Sequence, residues 1–239
     1  MCERLKQGAS MGFDVQFYEK CKERITDYMN FSITANNSYM LIMMIRDLQK
    51  NKNDIINISP TFYHMVFRNS MQALFVDISK MFDKNSKNMS IVWLLNSINN
   101  HLDLLDNRAV TVNEFRHLND NYAVSRAFNS LTEVVNHFAD SIAKIEQDIK
   151  SLTILRNKFY AHLDKDAQNH LDRLFKENSV SLLTIENLLV LNINICNALH
   201  MYFHGSTVVP LDFNHDDLYR SISCIEGYEK LSKKYKNYL

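Results

Sequence analysis

No glycine occurs between Gly12 and Gly205, and the chain's only prolines are Pro60 and Pro210. This scarcity limits the fold more than any other feature, because tight β-hairpins draw on glycine for backbone that other residues resist. The sequence therefore predicts a helical protein without hairpins. It also excludes the Walker loop, the dinucleotide-binding fingerprint and the kinase loop, each of which needs glycines at fixed offsets. Most nucleotide-cofactor enzymes drop out, and no cofactor is expected.

Apolar residues recur at helical spacing along most of the chain. Phe17, Cys21, Ile25, Tyr28, Tyr39, Ile42, Ile45 and Leu48 form one stripe, as expected of one long or one kinked helix up to about Lys50. Ser59-Pro60 reads as a helix start, with serine as cap and proline at the first helical position. Ser90 caps a shorter helix, and Thr111-Val112-Asn113-Glu114 has the pattern of a capping box. A long helix is expected from about Tyr122 to His162. Another follows from Val180 to Phe203, then a break at Gly205, an extended Val208-Val209-Pro210 and a last helix from about Asp216.

The resulting expectation is an all-α antiparallel bundle of five to seven helices, forming a single domain over residues 1–239. Residues 1–12 read as a flexible lead and 206–239 as a C-terminal extension with a helix. With 46% of residues apolar, the chain can bury a substantial core. The methionine-rich run Met40 to Met44 reads as core filling.

The 27 basic and 27 acidic residues cancel, so no global field draws the chain to nucleic acid or anionic lipid, and any RNA contact must be local. Cys2, Cys21, Cys196 and Cys224 have no metal-binding spacing and read as reduced thiols. No apolar run suits a signal peptide or reaches the ~18 residues of a membrane span. The expected setting is the cytoplasm, without a membrane partner.

Leu155-Arg156-Asn157-Lys158-Phe159-Tyr160-Ala161-His162-Leu163-Asp164 holds the chemistry. It brings a permanent cation, a polar amide and a titratable imidazole together in a helical segment, and such a set can bind or cleave a phosphodiester. Six residues on one ideal helix rotate by ~600°, which leaves Arg156 and His162 ~120° apart and ~9 Å apart along the axis. Three arrangements would reunite them: an end or bulge in the helix before His162, the reach of the long arginine, or a second copy of the chain across a twofold axis. Otherwise Arg156 serves as a cap or salt-bridge partner, and His162 as a cation near a helix C-terminus.

The segment from Arg156 to His162 resembles the signature of the HEPN superfamily: an arginine, a polar residue and a histidine four to six positions after the arginine. Its Ala-His-Leu-Asp ending looks closest to the abortive-infection U-type branch. Phe67-Arg68-Asn69-Ser70, Ala73-Leu74, Asp77-Ile78, Phe82-Asp83 and Ser90-Ile91 with Leu94-Leu95 are similar to the same branch. The resemblance runs roughly from Ser59 to Asp164. It implies a homodimer whose motif helices meet at a cleft and, in active members, a metal-independent ribonuclease. Arg156, Asn157 and His162 carry over as catalytic residues.

Lys158, Tyr160 and Asp164 are candidate RNA contacts, Asp164 opposing phosphate unless it orients His162. An antitoxin or regulatory partner is a further expectation. The alternative is an inactive module of the same fold that binds a nucleotide, RNA or a protein. His200 and His204 could face one way for zinc, with His215, Asp216 or Asp217 as further ligands, but the HExxH pattern is missing and no metal is expected.

Overall fold

The computed structural model describes residues 2–84, 90–106, 108–118, 123–161, 180–207, 224, 226 and 227, with side chains from Val15 onward except for 158–161. Seven α-helices stand among these residues: α1 Cys2–Asn51, α2 Asn53–Ile58, α3 Pro60–Met81, α4 Ile91–Asn99, α5 Leu131–Lys144, α6 Glu146–Ala161 and α7 Leu182–His204. The fold is all-α, as expected. The stretch read as a flexible lead is helical backbone from Cys2 onward.

Local chemistry accounts for most of the helix ends. Ser90 Oγ accepts from Trp93 N–H at 3.0 Å to start α4, and Ser181 Oγ accepts from Thr184 N–H at 3.0 Å to start α7. Pro60 opens α3, although the Ser59 side chain makes no capping bond. Gly205 closes α7 in the left-handed region, with φ 72°, and its N–H reaches Met201 C=O at 3.0 Å.

The expected capping box at Thr111 to Glu114 is corrected: these residues belong to a strand. β1 (Val110–Glu114) pairs antiparallel with β2 (Val124–Phe128), Val110 opposite Phe128 and Glu114 opposite Val124. The exclusion of hairpins fails because the connection from Phe115 to Ala123 is too long to need a tight turn's left-handed residues. A serine cap forms instead at Ser130, ahead of α5, with Glu133 reaching back to the residue before the cap. There Ser130 Oγ accepts from Glu133 N–H at 3.1 Å, and Glu133 Oε2 accepts from Asn129 N–H at 2.7 Å.

α7 is the central helix. Leu188, Leu189, Ile195, Cys196, Ala198 and Leu199 are each at most 1% exposed, and burying a leucine contributes ~1.5–3 kcal/mol. α1 packs on one side of it and β1 on another. α7 is long and apolar enough to cross a membrane, but 61% of its most apolar window is buried inside the fold, as in the core helix of a globular protein.

Two asparagines on this helix are used internally. Asn192 Nδ2 donates to Ser32 Oγ on α1 at 2.6 Å. Asn194 holds both polar groups of Phe115, accepting from its N–H and donating to its C=O, each at 2.8 Å. That pair ties the end of β1 to the core.

The long helix expected from Tyr122 to His162 is divided. β2 occupies its beginning, and the backbone leaves helical geometry at Ile145 (φ −107°, ψ 15°), so α6 starts again at Glu146. Ile149, Leu152 and Leu155 are buried along α6, which packs against α3.

Candidate functional site

Arg156 lies one residue beyond the buried stripe of α6, so it is half-buried while Asn157 is exposed. The two side chains are joined: Arg156 Nε and Nη2 both donate to Asn157 Oδ1, at 3.1 and 3.0 Å. A guanidinium has five N–H donors. Two point at the amide; of the three without a partner among the described residues, two lie side by side on the outer edge of a fork held in one orientation. Such an edge suits a phosphate oxygen pair.

Lys158 and Tyr160 lie on the last turns of α6, with side chains outside the described set. His162 and Asp164 lie outside the described residues. The structure therefore brings Arg156 and Asn157 together, and the pairing of Arg156 with His162 falls beyond what it describes.

Arg156 also lines a groove of ≈ 410 Å³ between the end of α3 and α6. Phe82, Ile149 and Ile154 are its apolar members, Asp83 adds a carboxylate beside Lys84, and Thr153 and the buried hydroxyl of Ser79 also line it. Ser79 is 3% exposed, and its Oγ lacks a hydrogen-bond partner. At the far end Glu146 receives two cations, Lys84 Nζ at 2.7 Å and Lys150 Nζ at 3.4 Å. Hydrogen bonds from Lys84 and then Lys150 hold the Glu146 carboxyl below its ordinary pKa.

Sequence reasoning missed Lys84, Glu146, Lys150 and Ser79. The four-residue spacing of Glu146 and Lys150 was readable as a helical ion pair. Lys84 arrives from the segment after α3, and no local pattern announces it.

The histidines considered for zinc do not converge. His200 and His204 stack at 4.2 Å, with His200 Nδ1 on Ser206 C=O at 2.7 Å and His204 Nε2 on Lys22 C=O at 3.3 Å. Among the described residues no three metal-ligating side chains come together. His215, Asp216 and Asp217 lie outside them.

No curated protein and no solved structure matches the chain. Residues 18–220 match the family model HEPN_AbiU2, described as AbiU2. That span takes in α3, α6 with its Arg156-Asn157 pair, and α7. The chain belongs to the HEPN AbiU2 family, a HEPN-type helical module related to abortive infection.

Proposed function

We propose that this protein is a metal-independent RNA endonuclease of the HEPN type, acting in the cytoplasm in phage defence or as a toxin. Arg156, Asn157 and His162 serve at a cleft between two copies of the chain. The observation that carries this reading is the guanidinium at the end of α6, braced on Asn157 and with three donors lacking a partner among the described residues, in a chain of this family.

In the mechanism the ribose 2′-oxygen attacks phosphorus, the bond to the 5′-oxygen breaks, and a 2′,3′-cyclic phosphate remains. His162 takes the 2′-hydroxyl proton or supplies one to the departing 5′-oxygen, a role that contributes ~10²–10⁴ in rate. Arg156 offsets the charge growing on the non-bridging oxygens. Asn157 fixes the guanidinium, and Tyr160 stacks on a base. DNA, which lacks the nucleophile, resists cleavage, and chelators leave the rate unchanged.

The test is cleavage of RNA in the presence of EDTA by wild type, Arg156→Ala and His162→Ala, with folding followed by circular dichroism. Wild type is expected to cut, and both variants to lose at least ~10²-fold in rate. Equal activity in all three would remove the nuclease assignment. The balanced charge of the chain weighs against a nuclease surface and so favours one second reading, an inactive module that binds a nucleotide, RNA or a protein partner without cutting. It is supported if wild type binds RNA and leaves it intact.

A further inference from the structure

The groove beside Arg156 has features that the catalytic motif leaves unexplained. On an ideal helix with ~100° per residue, Lys150 and Arg156 stand ~120° apart, with Thr153 and Glu146 in the arc between them. Both cations line the groove, so they occupy opposite rims of one trough. Lys84 comes from beyond the end of α3 to the same rim as Lys150 and meets it at the Glu146 carboxylate.

A carboxylate held by two ammonium groups occupies the place that a phosphate would take. All three side chains are substantially exposed, Lys84 at 62%, Lys150 at 61% and Glu146 at 41%. Water screens these pairs, and a competing anion can displace the carboxylate. The trough's apolar members suit the face of a base. The Ser79 hydroxyl, buried without a partner, would be satisfied by a water or polar ligand group in the trough.

We propose that this groove seats the nucleotide next to the one Arg156 holds, with Lys84 and Lys150 as its phosphate clamp and Glu146 as an internal anion that fills the clamp until RNA displaces it. The proposal rests on the reading of Arg156 as a phosphate ligand. It assigns single-stranded RNA to the groove, since only unpaired nucleotides can lay a base against its wall. Glu146 weakens RNA binding, and its removal strengthens it.

The experiment measures binding of a fluorescein-labelled single-stranded oligoribonucleotide of mixed sequence to the full chain by anisotropy. The chain carries His162→Ala to prevent turnover, and thermal melts check folding. Adding Lys84→Ala with Lys150→Ala is expected to weaken binding about tenfold at about 50 mM salt and to lower the slope of log affinity against log salt by about 1.4, at ~0.7 per lost contact. Adding Glu146→Gln is expected to tighten binding about threefold, the effect of removing one charge ~6 Å from a phosphate in water.

The proposal is overturned if the lysine substitutions leave affinity and slope unchanged, or if Glu146→Gln weakens binding. Either result would mean that the three side chains only brace the start of α6. RNA left uncut by wild type, but bound with the expected dependence on these residues, would sink the nuclease reading and leave the groove assignment standing. Cleavage by wild type with no dependence on Lys84, Lys150 or Glu146 would do the reverse. Absence of RNA binding would sink both.

Discussion

Replacing Asn157 with aspartate tests the braced guanidinium with almost no change of shape. The Asn157→Asp carboxylate keeps an oxygen where Arg156 Nε and Nη2 now donate, at 3.1 and 3.0 Å, and adds one negative charge behind the fork. A phosphate on the free edge of Arg156 would lie ~7 Å from that charge. The repulsion is ~0.6 kcal/mol at the dielectric of water and ~2.4 kcal/mol at an effective value of 20. RNA affinity should therefore fall about three- to sixty-fold.

Asn157→Ala separates charge from orientation. It frees a side chain whose reordering on binding costs ~0.5–1.5 kcal/mol, so its loss should stay near or below about tenfold. Salt distinguishes the two, because the aspartate penalty acts across several ångströms and shrinks as the Debye length falls from ~10 Å at 0.1 M to ~3 Å at 1 M. The assay is anisotropy with single-stranded RNA at low and high salt, in the His162→Ala background. If Asn157→Asp leaves RNA affinity unchanged at low salt, Arg156 is not the phosphate ligand and the site is wrongly placed.

Two further outcomes concern the scaffold. Asn194→Ala strips both polar groups of Phe115 of their partners, at ~1–3 kcal/mol each for buried groups. About 2–4 kcal/mol in all should lower the melting temperature by roughly 5–15 °C at the ~2–4 °C per kcal/mol of a chain this size; a loss below about 1 kcal/mol contradicts the clamp. His137 is held below its ordinary pKa, chiefly by burial and next by Arg126. The unfolded chain thus takes up its proton first, and stability falls as pH drops from the unfolded value of ~6.5 through the folded one. His137→Gln should flatten urea-derived stability against pH in that window, and an unchanged slope would show that His137 does not contribute.

The all-helical character and several helix ends were legible in the sequence because their causes are local. Ser90 precedes α4, Gly205 follows α7, and Tyr28, Ile42 and Ile45 repeat at the spacing of one buried stripe. The hairpin was hidden for a physical reason. Val110 and Val112 alternate with exposed neighbours as a strand should, but β2 is exposed at Val124 through Ala127 and has no matching alternation. Thr111 and Glu114 imitate a capping box, and the functioning cap at Ser130 lies inside what reads as one continuous helix. Arg156 and Asn157 could be singled out because they are adjacent, and their side chains do meet, while the pairing with His162 lies outside the described residues. The groove could not, because Lys84 reaches Glu146 across 62 positions of chain.

The break at Ile145 matters for the site more than its single residue suggests. An unbroken helix from α5 would carry Arg156 along the direction set by Leu131, Val134 and Phe138, which are buried in the main core. Restarting at Glu146 lets Ile149, Leu152 and Leu155 choose a new line against α3. Arg156 then emerges at the edge of that contact, its stem beside packed apolar side chains and its head beside Asn157. Leu74, Ile78 and Phe82, buried on or just after α3, belong to the stretch that carried the second part of the family resemblance. That stretch therefore includes the helix that α6 packs against. The guanidinium thus stands on a helix packed against a second one, the kind of support that the proposed phosphate contact needs to keep its orientation.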